Sequence, residues 1–267
     1  EAELILSDIS VYDFKLDGRR VINPFKEPAR RIELNLGQTF VKRMFLKKIL
    51  RLLPKRAEKV FALEGGVSAS HLLRRISKNS RFVFARTIRE KTDVFLADGE
   101  GIRFFDYFDW GETDIYKGVS GKLKVGVAEA EFIVDEFLAR RTSPYFAKKF
   151  GSVFSDEIIT LIQGLKSGAR AIKATATYLD FPLLKGLLEE GLKFKKISTK
   201  MIVSVDSAKI FENFGFELKN QMPKTENPDF LTASVLLETY FSPTPSHPLS
   251  LINKLAKRRM RWLMPEN

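Results

Sequence analysis

The run Val60-Phe61-Ala62-Leu63-Glu64-Gly65-Gly66-Val67-Ser68-Ala69-Ser70-His71 sets two glycines and two serines between a short apolar segment and an amphipathic one. Where a strand turns into a helix, the first backbone N–H groups have no intrahelical acceptor, and with the helix dipole they can hold a phosphate. Gly65, Gly66, Ser68 and Ser70 are therefore the candidate cofactor-binding residues. Glu64 puts a carboxylate beside them, and a plain capped helix after a tight turn uses the same residues without any ligand.

This segment resembles the pyrophosphate-binding loop of the PP-loop ATP pyrophosphatase family, Ser-Gly-Gly-x-Asp-Ser after a strand. Glu64, Ser68 and Ala69 stand where that pattern has Ser, Asp and Ser. A second stretch, Lys200 to Glu217, resembles the last part of GNAT-type acetyltransferases, with Ala208, Phe211, Gly215 and Phe216 in register. That resemblance implies a closing strand over Leu231–Phe241 and an acyl-CoA site. The family's glycine turn for the CoA pyrophosphate is absent from Leu179–Gly186, and Glu212 stands at the position of its general-acid tyrosine.

Charge gives a third pattern. Lys42, Arg43, Lys47, Lys48, Arg51, Lys55, Arg56 and Lys59 face a single acid, Glu58, and Lys254, Lys257, Arg258, Arg259 and Arg261 face only Glu266. These two segments carry nearly all of the net charge of +12, whereas residues 98–136 hold ten acids against four bases. On Thr39–Leu53 and in the tail the bases flank apolar residues, a pattern suited to a nucleic acid or an acidic protein surface as well as to an ordinary solvated helix face. Lys42, Arg43, Lys47, Lys48, Arg51, Lys254, Lys257, Arg258, Arg259 and Arg261 are the polyanion-binding candidates.

Other chemistries are narrowed by what the chain contains. It has no cysteine and two histidines, His71 and His247, so disulfides, thiolate metal sites and multi-histidine zinc sites are excluded. Asp106, Asp109, Glu112 and Asp114 do not follow a calcium-loop pattern and read as a solvated turn or as an internal partner for a basic helix. Lys117-Gly118-Val119-Ser120-Gly121-Lys122 has too few residues between its glycines for a P-loop and reads as a hairpin turn. No metal and no cofactor are assigned. His71 lacks an identifiable acid partner, so no catalytic residue is named.

The elements around these residues set the expected architecture. Leu4–Phe14 and Arg31–Leu36 alternate as strands, with a hairpin signal at Asp17-Gly18. Thr39–Leu53, a segment from Ser68 or Ser70 to Lys78, and Glu129–Arg140 have helical spacing. Val60–Leu63 and Arg81–Ala85 are short strands, and Asp93–Ala97 with Ile102–Phe108 forms a hairpin through Asp98-Gly99-Glu100-Gly101.

From Ser155 the order is a helix to Leu165, strand 171–179, helix 182–190, strand 200–205, helix 207–214, strand 216–219 and a long strand, 231–241. Three prolines in 242–248 make a stiff linker ahead of a basic helix over Leu249–Leu263. The predicted fold is mixed α/β, a mixed sheet with covering helices, strand–helix–strand units in the C-terminal half and a trailing basic helix. Residues 1–145, 146–241 and 242–267 are the expected regions, as separate units or as parts of a single compact domain. No apolar run reaches the length of a membrane span and Glu1–Leu6 does not resemble a signal peptide, so a cytoplasmic location is expected. Scarce glutamine with abundant Lys, Arg and Glu follows the thermophile trend.

The functional expectation is non-catalytic binding of a polyanionic partner through the basic segments. The alternative is an acetyltransferase-like fold, active or not.

Overall fold

A computed structural model of the chain describes residues 3–21, 27–52, 64–77, 79–99, 101–139, 141–150, 153, 155–181, 202–205, 207–216, 230–240 and 255. The tail bases, the expected strand at 60–63, residues 217–219 of the expected strand 216–219, the helix at 182–190 and the linker lie outside these residues. The chain divides into two compact units, Glu1–Ser68 with Ser234–Asn267, and Ala69–Ala233. Residue 145, where a boundary was expected, lies in the helix Pro144–Phe150.

The first unit is built on an antiparallel sheet of β1 (Leu4–Leu16), β2 (Arg19–Arg20) and β3 (Ile32–Lys42), in the order β2-β1-β3. Asp17 and Gly18 take positive φ, +48° and +79°, which closes the β1–β2 turn tightly. The Asp17 carboxylate then accepts the N–H groups of Arg30 and Arg31, at 3.1 and 2.8 Å, and fixes where β3 begins. Helix α1 (Arg43–Leu52) follows β3 without a loop. The expected helix from Thr39 starts later because Phe40 and Val41 pair with Leu6 and Ile5, so sheet pairing overrides the helical spacing of their side chains.

The second unit carries a five-stranded mixed sheet. Strands β4 (Phe82–Thr87), β5 (Thr92–Asp98) and β6 (Gly101–Phe108) run as an antiparallel meander. The chain then crosses through α3 (Glu112–Leu123), α4 (Val127–Leu138), α5 (Pro144–Phe150) and α6 (Ser155–Ala171) to β7 (Ala176–Asp180). β7 pairs parallel to β4, and β8 (Ile202–Ser204) pairs parallel to β7, giving the order β6-β5-β4-β7-β8. The remaining helices are α2 (Gly65–Ile76), α7 (Ser207–Asn213) and α8 (Phe230–Tyr240).

Both faces of this sheet are buried over β4 and β5, which explains their near-continuous apolar sequences. One face meets α6, where Gly168 leaves space for Val83, Val94 and Leu96 and Gly164 leaves space for the Phe108 ring. The opposite face is aromatic. Phe84 contacts Phe95 and Phe230 at 5.9 Å each, and Phe95 contacts Phe104 at 5.5 Å.

Two expectations are corrected here. Residues 231–241 are not a strand: Phe230, Leu231, Ala233, Ser234 and Leu237 are buried at helical spacing within α8. A short apolar run with little periodicity is ambiguous between the two structures, and burial of most of its surface favoured the helix. Lys117–Leu123 is the end of α3 rather than a hairpin turn, because Gly118 admits the Glu157 side chain of α6 against the helix backbone.

Gly111 packs where a Cβ would lie 2.3 Å from the carbonyl oxygen of Ile88. Backbone cannot yield as a side-chain tip can, so Gly111→Ala is expected to cost about 3 kcal/mol, read as a lower midpoint in urea unfolding.

Candidate functional site

The glycine junction forms the start of α2, and its donors are engaged by the chain itself. The Glu64 carboxylate accepts the N–H of Gly66 at 3.0 Å and of Val67 at 2.5 Å. Ser68 and Ser70 are buried. Glu64, which as a phosphate neighbour would repel, acts as an N-terminal cap on the helix dipole. His71 follows on the same helix. Burial first, then the nearby Arg74 and Arg75, lower its pKa to about 4, so it is neutral at pH 7.

At the carboxyl end of the parallel strands β4 and β7 the chain's direction across the sheet reverses, and ligands of open α/β sheets usually bind at such a point. Arg86 and Asp180 are register partners there. Just beyond, Trp110 and Phe181 are buried and meet edge to face at 5.9 Å. Thr87 and Thr92, also buried, face each other at 3.0 Å, and Thr92 Oγ1 donates to the Trp110 carbonyl.

The β4–β5 turn, Ile88-Arg89-Glu90-Lys91, contains no glycine and is locked onto α3. The N–H groups of Glu112 and Thr113 donate to the carbonyls of Ile88 and Arg89, at 3.3 and 2.9 Å, and Thr113 Oγ1 adds a bond to Arg89. Glu112 has a raised pKa, chiefly through burial, with Arg89 opposing the shift and Glu131 and Asp135 adding to it. Tyr116 is pushed up to about 12 by burial and the same carboxylates.

A different kind of surface lies on β3 and α1. Ile32, Leu34, Leu36 and Phe40 occupy one face of β3 and are 62, 46, 46 and 52% exposed. On the adjacent β1, Val11 and Leu16, the register partners of Leu36 and Ile32, are buried. The apolar face is thus covered over the central strand and open over the edge strand. Among the described residues β3 pairs only with β1. Helix α1 continues the patch with exposed Met44, Phe45 and Leu52, and exposed Lys42, Lys47, Lys48 and Arg51 border it, with Arg43 half-buried.

The sequence-predicted basic residues of this segment lie beside apolar groups that sequence spacing had placed on one helix, and of these Phe40 belongs to β3. The edge position of β3 was the missing signal.

No family model and no curated protein matches the chain. Its fold is shared with a chain of a PilM–PilN type IV pilus biogenesis complex, with a TM-score of 0.56 at 13% identity over 90% of this chain and 68% of the other. An archaeal actin homologue gives a TM-score of 0.45 at 12% identity, over 89% of this chain and all of the other. ParM of Bacillus thuringiensis, solved with ADP, gives 0.41 at 9% identity, over 65% and 54%. The first of these shows the fold.

Both functional expectations are thereby corrected. The acetyltransferase reading fails because the fold is that of the PilM–PilN chain and because β7 and β8 pair in parallel without splaying, a bond from Val205 N–H to the Leu179 carbonyl at 3.1 Å extending the ladder past β8. Its expected closing strand is α8. The polyanion reading gives way to the same comparison, since charge alone carried it and the bases of α1 border an apolar patch.

Among the described residues, the backbone donors at the starts of α2 and α3 are engaged by the Glu64 carboxylate and by the carbonyls of the β4–β5 turn, so neither helix start offers those donors to a phosphate. A nucleotide at a hundredfold excess over its dissociation constant would add about 2.7 kcal/mol to stability. The expected result with ADP or ATP and Mg²⁺ is an unchanged melting temperature in a thermal-shift assay.

His71 supplies a pH prediction. Its folded-state pKa lies below the unfolded value of about 6.5, so the unfolded chain binds the extra proton between about pH 6.5 and 4. Stability is therefore lost as pH falls through that window, by up to about 1.4 kcal/mol per pH unit. Urea titrations at stepped pH should show this slope, and His71→Gln should flatten it.

Proposed function

We propose that this chain is a non-catalytic assembly subunit that holds a partner protein by strand addition on β3. The observation that carries the reading is the open edge of β3, where Ile32, Leu34 and Leu36 alternate and Phe40 follows beyond the exposed Gln38, an apolar face continuous with a buried one. A long, apolar, unprotected edge templates strand pairing, and natural proteins normally guard such edges. The occupant is an extended segment with alternating apolar residues, which would lengthen the ladder and cover the uncovered part of the face. The likeness to a chain from a two-protein pilus biogenesis complex supports a partner-holding role. The self-engaged donors at α2 and α3 point the same way, since they leave recognition to apolar surface.

A photo-reactive phenylalanine analogue at Leu34 or Leu36, in cells of the native source, should give one discrete protein adduct. The same residue at Lys166, exposed on α6, should not. With the analogue moved to Ile32, the double change Leu34→Lys and Leu36→Lys should abolish the adduct. Because both leucines are exposed, it should alter stability by no more than about 0.5 kcal/mol. Equal labelling from positions 36 and 166 would refute the reading.

A further inference from the structure

We propose that the outer edge of the second sheet, β6, is a self-association surface on which a second copy of this chain pairs antiparallel about a two-fold axis. Strand β6 ends the order β6-β5-β4-β7-β8 and, among the described residues, pairs only with β5. It displays Phe104, Phe105 and Tyr107, exposed at 52, 39 and 53%, on a strand otherwise well supported by its neighbour. Exposed aromatics grouped on a sheet edge mark an interaction site rather than ordinary surface.

The occupant follows from how the strand's faces are arranged. Phe95 pairs with Phe104 while Val94 pairs with Asp106, so Phe105 is an extra, bulged residue. The bulge shifts the alternation by one. Arg103 stands opposite Leu96 and Asp106 opposite Val94, which places both on the α6 side of the sheet although they are three residues apart. Ile102 and Tyr107, opposite Ala97 and Asp93, share the other side.

A two-fold axis through the bulge therefore sets Arg103 of each copy against Asp106 of the other. It sets Ile102, already buried in the single chain, against the exposed Tyr107, and the two residues of each of these pairs lie on one face. Without the bulge the same pairing would oppose residues on different faces. A strand whose charges and apolar residues both become self-complementary about its own irregularity fits a second copy better than an unrelated strand, and a closed isologous pair needs no further surface.

The charges are held ready for this exchange. Arg103 is paired with Asp98 of β5 at 3.0 Å, so pairing across the axis would bring Asp106 of the other copy to a guanidinium already ordered on this face, to share it with Asp98 or take its place. Asp106 accepts the N–H of Tyr107 at 2.8 Å, so in the single chain it caps a backbone donor on this strand. Strand pairing would supply that donor with a carbonyl and turn Asp106 toward the opposing Arg103. The surface differs from β3 in sheet, unit and occupant.

Sedimentation velocity on the full chain over a concentration series tests the proposal. The intact chain should populate a dimer at concentrations of about 100 µM, as suits a small interface. Asp106→Lys and Arg103→Glu should each weaken it about tenfold or more, because two ion pairs become two repulsions by symmetry. Mixed together, these variants should form a one-to-one heterodimer, since each then meets its opposite.

Should Arg103→Glu fail to fold for loss of the Asp98 contact, Asp106→Lys and Phe105→Lys, both at exposed positions, carry the test alone. The change Leu34→Lys with Leu36→Lys should leave the dimer intact. A chain that stays monomeric throughout, or a dimer indifferent to Asp106→Lys and Phe105→Lys, would overturn the proposal.

Discussion

The parallel pairing of β4 with β7, from Phe82 opposite Ala176 to Arg86 opposite Asp180, is the contact on which the second unit is organised. Parallel neighbours cannot be joined by a tight turn, so the chain must travel through four helices before β7 can form beside β4. Those helices cover one face of the sheet, and the aromatic contacts of Phe84, Phe95 and Phe230 fill the other. Because β4 is buried on both sides, it tolerates neither register slip nor a polar substitution, and the β4–β5 turn is delivered to one place. There its carbonyls complete the first turn of α3, and Gly111 permits the approach.

How much of this could be read from sequence depends on whether the governing contact was local. The β5–β6 hairpin was legible because its turn, Asp98-Gly99-Glu100-Gly101, and its flanking alternation lie within a few residues of each other. The strand–helix pattern around β7, β8 and α7 was legible for the same reason, and with it the mixed α/β class. Helix α3 was not, because Gly118 and Gly121 suggest a turn until Glu157, far along the chain, is seen packed against Gly118. Helix α8 failed on a run whose apolar residues give no clear period.

The site was less legible than the fold, for a related reason. Glu64 beside Gly65 and Gly66 suggests a damaged phosphate loop in sequence, and only geometry shows the carboxylate bonded to the N–H groups of Gly66 and Val67. The bases from Lys42 to Arg51 suggested a charged helix face. Their setting changes once Phe40 proves to belong to an edge strand, with Met44, Phe45 and Leu52 exposed beside them. Whether a strand is central or at an edge is decided by residues distant in sequence, so no local pattern could have supplied it.

The two sheets treat their edges differently, and the difference separates two kinds of recognition. The two irregularities of the β1–β3 ladder put their extra residues on β1, so the open residues of β3 keep their alternation, and no charge interrupts Ile32, Leu34 and Leu36 on their face. Such an edge accepts any extended segment with matching alternation, and its selectivity must come from the pockets between its side chains. On β6 the bulge at Phe105 breaks the register and Asp106 caps a neighbouring donor, both of which oppose casual pairing. The same two features admit a strand carrying the same irregularity and the opposite charge order. An edge guarded against most strands thus remains open to its own copy.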